Sequence, residues 1–73
     1  MTRRQIDKET KNRNMQRTLE KALDVLAEAT DLAIKERAAW AVYKYSGALY
    51  RAKVIPHWEM ETVRAFADAA LED

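Results

Sequence analysis

The chain contains no cysteine and has only one glycine and one proline among its 73 residues. Without cysteine it can form neither a disulfide nor a thiolate metal site, and a cysteine nucleophile is excluded. Few positions favour tight turns, and no segment alternates apolar and polar residues with period two, so a β-sheet is disfavoured. These absences predict a helical chain that is stabilised by packing alone.

Long apolar runs are also missing. No apolar segment follows the charged N-terminus, so a signal peptide is not expected. Every apolar stretch is far shorter than the ~20 residues needed to cross a bilayer. We therefore predict a soluble, cytoplasmic protein that has no membrane partner.

What the chain does contain is typical of helices. Apolar residues make up 48% and charged residues 34%, with alanine, glutamate, lysine, arginine and leucine abundant. A single core below about 70–80 residues rarely supplies more than ~3–5 kcal/mol, so association is expected. The predicted fold is all-α: a long helix, a two-faced middle helix and a short C-terminal helix, in a dimeric helical bundle.

Charged residues are distributed unevenly along the chain, although its net charge is only +1. Residues 1–14 form a polar, basic arm or frayed helix, and residues 15–73 form the helical domain. Residues 56–73 carry five acids against the single base Arg64. The basic segment is a candidate nucleic-acid interface, although acids interrupt it. Its basic residues are Arg3, Arg4, Lys8, Lys11, Arg13 and Arg17.

A heptad pattern begins at Met15 and continues to Ala33. Its apolar positions follow alternating steps of four and three, as in helices that pair along a seam. The seam predicts a homodimer, and the pattern is compatible with a parallel or an antiparallel arrangement. Its members are Met15, Leu19, Ala22, Leu26, Ala29 and Ala33.

Three positions are candidate helix boundaries. Thr30-Asp31 contains good capping residues, but the apolar pattern runs through it, so a turn and a continuous helix are equally compatible with the sequence. Ser46-Gly47 is interpreted as helix interior, because periodicity survives across it on both faces. Pro56 predicts the start of a final helix that runs to about Leu71.

The middle segment is apolar on two faces that lie roughly 160° apart at ~100° per residue. The first face contains Ala38, Val42, Tyr45, Leu49 and Ala52 and can join a core. The second face is an aromatic patch with a cationic rim, typical of interface hot spots, although core or homodimer packing would also explain it. Its predicted partner-binding residues are Trp40, Tyr43, Lys44, Gly47, Tyr50, Arg51 and Val54.

Catalytic and metal chemistry have little support. The chain has one histidine, His57, and one serine, Ser46, and nothing in the sequence indicates a pocket with an orienting acid. His57 and Glu61 share a helix face, but a structural zinc site needs about four ligands. A helix-turn-helix centred on Gly47 fails because bulky Tyr43 stands where a small residue is required. We predict no enzyme activity, cofactor or metal.

The sequence therefore predicts a small homodimeric adaptor or inhibitor that docks on a larger protein through the aromatic patch. Its size suits a bacterial or phage accessory protein. The alternative is a nucleic-acid-binding regulator that uses the basic N-terminal segment. Steep weakening with salt would indicate the alternative, because phosphate contacts release counterions.

Overall fold

The computed structural model describes the backbone of residues 3–72 and the side chains of residues 7–72. It contains three helices: α1 (Arg3–Glu28), α2 (Leu32–Arg51) and α3 (His57–Glu72). The prediction of an all-α chain is confirmed, with no strand in the described range. The helices form a slender bundle of 46 × 21 × 13 Å. None of the described helices meets the length and hydrophobicity required to span a membrane.

Helix α1 is continuous across the boundary that the sequence predicts at residue 14. Its 26 residues correspond to roughly 39 Å of helix. Between residues 7 and 14 only Asn12 is partly buried, and packing against the core begins at Met15. The first turns of α1 therefore extend beyond the packed part of the bundle.

The connection between α1 and α2 decides between the two alternatives that the sequence left open at Thr30-Asp31, a turn or a continuous helix. It is a turn. Asp31 is the N-cap of α2, and its Oδ1 accepts hydrogen bonds from the backbone N–H groups of Ala33, at 2.8 Å, and Ile34, at 3.4 Å. The cap satisfies donors that have no partner within the helix, so the chain turns here without glycine or proline. The predicted seam from Met15 to Ala33 is therefore wrong as one continuous helix face.

The core lies where the three helices meet. Leu19, Ala22 and Leu26 of α1 are buried against α2 and α3. The prediction that one face of α2 joins a core is confirmed, with Val42 and Leu49 wholly enclosed. Alanine allows close helix approach but contributes little apolar area. The full set of buried apolar residues is Leu19, Ala22, Leu26, Ala38, Ala39, Val42, Leu49, Ile55, Met60 and Ala67.

The sequence predicts Val54 on the aromatic face of α2, but the helix ends before it, at Arg51. Lys53 has a φ of 62°, its N–H donates to the carbonyl of Tyr50, and the N–H of Val54 donates to the carbonyl of Leu49. This is a Schellman motif with lysine in the position that glycine usually occupies. Val54 therefore lies beyond the helix, where it packs against the core beside Leu49.

Pro56 marks the start of α3, as the sequence predicts. Its carbonyl accepts from the N–H groups of Glu59 and Met60, at 3.1 and 3.2 Å, so proline occupies the N-cap one residue before the helix. Met60 and Ala67 are buried, and the partly buried apolar residues of the same face pack around them. This arrangement places α3 along α2, beside the aromatic face.

Candidate interaction face

The aromatic face of α2 is centred on Trp40. The side chain of Trp40 is 71% exposed, which is unusual for so large an apolar group. It borders an open concavity of about 550 Å³ that is completed by half-buried Tyr43 and exposed Lys44. A second concavity of about 510 Å³, lined by Ala33, Glu36, Arg37 and Trp40, lies beside the first. Trp40 therefore forms a ridge between two shallow surfaces.

Gly47 is helix interior, as the sequence predicts, but it is buried and its φ is not positive. It is covered by the side chain of Arg64, which reaches across from α3. A Cβ built on Gly47 would lie 2.8 Å from Nη2 of Arg64, closer than real Cβ contacts. The absence of a side chain at this position thus makes room for a guanidinium group.

Arg64 is held in place by two hydrogen bonds to α2. Its Nε donates to Oγ of Ser46 at 3.2 Å, and its Nη2 donates to the backbone carbonyl of Tyr43 at 3.1 Å. The guanidinium also lies 5.7 Å from the centre of the Tyr43 ring, within the range of a cation–π contact. The fully buried hydroxyl of Ser46 donates in turn to the Tyr43 carbonyl at 3.3 Å. These contacts join α3 to α2 beside Gly47.

A second guanidinium approaches the same place from α2 itself. Nη1 of Arg51 lies 3.6 Å from the position that a Cβ of Gly47 would occupy. Two guanidinium groups, one from each helix, are therefore within 3.6 Å of a single point above Gly47. The predicted cationic rim exists in the structure, and Arg64 enlarges it from a helix that the sequence reading did not include in the face.

The far end of this face is closed by the start of α3. His57 stands edge-on to Tyr50, with ring centres 5.5 Å apart, and Tyr50 is 40% exposed. Nε2 of His57 lies 3.2 Å from Oε1 of Glu61, and both side chains are largely exposed. Among the described side chains this is the only contact within ion-pair distance, and it is an ion pair only when His57 is protonated.

Trp58 is a second exposed tryptophan, at 68%, but it does not line either concavity beside Trp40. Its backbone carbonyl accepts a hydrogen bond from Thr62 at 2.7 Å, which is a local helix contact. Within residues 7–72 no group of three or more histidine, cysteine, aspartate or glutamate residues could hold a metal ion.

The predicted dimer seam has different surroundings along its length. Leu19, Ala22 and Leu26 are buried in the chain's own core, with Met15 packed against it. Beyond them, the last two members are half-buried in the turn and exposed on α2: Ala29 and Ala33. In this conformation the centre of the seam is occupied by α2 and α3 and is not presented to a second chain.

The candidate nucleic-acid residues lie along α1. Lys8, Lys11, Arg13 and Arg17 are exposed, whereas the side chains of Arg3 and Arg4 lie outside the described residues. On a continuous helix the two lysines face roughly opposite the two arginines, at ~100° per residue. The helix thus spreads its positive charge over two sides.

No protein-family model, curated protein or solved structure matches this chain. Sequence reasoning missed Arg64, Ser46 and His57 as members of this face. A signal did exist for Arg64, which is the only base in an otherwise acidic C-terminal segment.

Proposed function

We propose that this protein is a small, non-enzymatic interaction module, an adaptor or inhibitor that docks on a larger protein through the face centred on Trp40. The single observation that carries this proposal is the exposure of Trp40 beside an open concavity of about 550 Å³. Tryptophan, tyrosine and arginine dominate the energetics of protein interfaces. This face combines all three on two adjacent helices.

The packing of the chain supports a binding role. Leucine, valine, isoleucine and methionine form most of the buried core, yet further large apolar side chains remain outside it. Seven large apolar residues are exposed between residues 7 and 72: Val25, Leu32, Ile34, Trp40, Tyr50, Trp58 and Phe66. An isolated exposed leucine requires no explanation, but a tryptophan that forms a ridge between two concavities favours a partner.

A homodimer remains part of the proposal, through a surface other than the centre of the seam. Val25 and Ile34 are exposed on either side of an apolar groove of about 310 Å³ between α1 and α2. A second copy that covers this groove would compensate for a core in which the described chain buries only ten apolar residues, four of them alanine. The dimer surface and the Trp40 face would then be separate.

The experiment that tests the docking proposal is affinity capture with a matched control. The wild-type protein, Trp40→Ala and Trp58→Ala are used as baits in nuclease-treated cell extract. Both substitutions remove an exposed indole, so both should leave the fold unchanged. We expect a protein that is retained by the wild type and by Trp58→Ala and is lost with Trp40→Ala. Equal capture by all three baits would contradict docking through this face.

The second candidate function is nucleic-acid binding, and the exposure of Lys8, Lys11, Arg13 and Arg17 on α1 is the observation that favours it. It predicts that a DNA or RNA fragment binds tightly at low salt and dissociates steeply as salt rises. Docking through aromatic side chains predicts little dependence on salt. A salt titration of the captured complex therefore separates the two functions.

A further inference from the structure

Arg51 and Arg64 converge above Gly47 with no carboxylate paired to either of them. Like charges brought together repel each other unless an anion compensates them. Arg64 donates only to neutral oxygens, those of Ser46 and the Tyr43 backbone. The only ion pair among side chains 7–72 is that of His57 with Glu61. Neither guanidinium therefore has a carboxylate partner within the described chain.

The acids nearest in sequence do not pair with either guanidinium. From Arg37 to the end of α2 at Arg51 there is no aspartate or glutamate, and Lys44 adds a further positive charge one turn before Gly47. On α3, Glu61 and Asp68 stand one turn before and one turn after Arg64, but Glu61 lies beside His57 and Asp68 forms no ion pair. Both guanidinium groups are therefore free of carboxylate partners within the described side chains.

The geometry suits a carboxylate. Guanidinium groups bind carboxylates through paired, charge-assisted hydrogen bonds, and such bonds are roughly twice as strong as neutral ones. Arg64 is already oriented by its bonds to Ser46 and Tyr43, so binding would cost it little side-chain entropy. Because Gly47 has no side chain, the guanidinium of Arg64 can lie close against the backbone of α2.

We propose that Arg51 and Arg64 form a carboxylate-binding site above Gly47. It recognises an aspartate or glutamate of a partner protein that places an apolar side chain in the neighbouring concavity of Trp40 and Tyr43. This assignment rests on the proposed docking function and adds the chemistry of the partner. A nucleic-acid backbone fits less well, because it presents a row of phosphates, whereas these two guanidinium groups meet at one point beside an apolar surface.

The test is a selection of short random peptides displayed on phage. The wild type, Arg51→Gln, Arg64→Lys, Trp40→Ala and the control Lys53→Gln are used as targets. Arg51 is exposed and makes no hydrogen bond in the described structure, so Arg51→Gln should fold normally, which circular dichroism would verify. We expect the wild type and Lys53→Gln to select an acidic residue near an apolar one. Arg51→Gln and Arg64→Lys should keep the apolar preference and weaken the acidic one.

Affinities of one selected peptide then give the magnitude. Arg51→Gln should weaken binding by ~10-fold or more, the loss typical of a hydrogen bond to a charged group. The same substitution should have no effect on a peptide whose acid is replaced by glutamine. An unchanged acidic preference in both arginine variants, or no acidic preference in the wild type, overturns the carboxylate site.

The outcomes separate this inference from the function on which it rests. Apolar selection that needs Trp40 but shows no acidic preference refutes the carboxylate site alone. If no selected peptide depends on Trp40, the docking function fails and the carboxylate site fails with it. Binding of a DNA duplex that is lost in Arg51→Gln would reassign the two guanidinium groups to phosphate and would also overturn the proposal.

Discussion

The substitution Gly47→Ala tests the packing of the candidate face with one methyl group. Alanine raises helix propensity by up to ~1 kcal/mol in a helix interior. The new Cβ would, however, lie 2.8 Å from Nη2 of Arg64, so the guanidinium must move. Its hydrogen bonds to Ser46 and Tyr43 contribute roughly 0.5–1.5 kcal/mol each at most, with the lower end expected because Arg64 is only partly buried. Gain and loss should nearly cancel, so the free energy of unfolding should change by less than about 1 kcal/mol.

A double-mutant cycle separates the two opposing effects. In an Arg64→Ala background the methyl group meets no guanidinium, so Gly47→Ala should stabilise by nearly its full ~1 kcal/mol. Arg51 provides the matched control, because its Nη1 lies 3.6 Å from the same point, at ordinary contact distance. Gly47→Ala in an Arg51→Ala background should behave as it does in the wild type. Urea denaturation followed by circular dichroism measures all four corners. An identical effect of Gly47→Ala with and without Arg64 would refute the account of this contact.

Substitutions at four further positions test the helix ends, the core and the groove. Lys53→Gly should stabilise by up to about 1 kcal/mol, since it removes the cost of a side chain at a φ of 62°, whereas Lys53→Ala should change little, as thermal melts would show. Asp31→Ala should destabilise by about 1 kcal/mol in urea unfolding, and Asp31→Asn should not, because asparagine also caps a helix. Leu26→Asp should unfold the chain, because it places a charge in the core. Ile34→Asp should instead leave helicity intact and dissociate the proposed dimer in sedimentation equilibrium. Equal melting temperatures for Lys53→Gly and Lys53→Ala, a loss in Asp31→Asn, or an unchanged sedimentation mass in Ile34→Asp would each contradict the corresponding argument.

Sequence periodicity was sufficient to predict the helical class and the buried face of α2. Val42 and Leu49 are enclosed where the wheel placed them, because an amphipathic helix buries its apolar stripe. Periodicity did not predict where the helices end. The turn at Asp31 depends on one side-chain cap, and the apolar pattern continues through it. The left-handed residue at Lys53 has no sequence signal, since the chain's only glycine lies six residues earlier.

The candidate face was predictable only in the part that belongs to α2. Trp40, Tyr43 and Lys44 follow from helical spacing and line the same concavity. Arg64 could not be placed there, because its position depends on how α2 and α3 cross. That crossing follows from packing between helices and not from the pattern of either one. For the same reason, the burial of Leu26 within the chain did not follow from its heptad position.

The central claim, docking of a protein on the face of Trp40, is tested most directly by calorimetry with the captured partner. The affinity of Trp40→Ala is compared with that of the wild type and of Trp58→Ala. A tryptophan hot spot predicts a loss of at least ~2 kcal/mol, roughly a 30-fold weaker Kd, for Trp40→Ala. The account predicts that Trp58→Ala stays close to the wild type. Equal losses for the two variants, or none for Trp40→Ala, would contradict it.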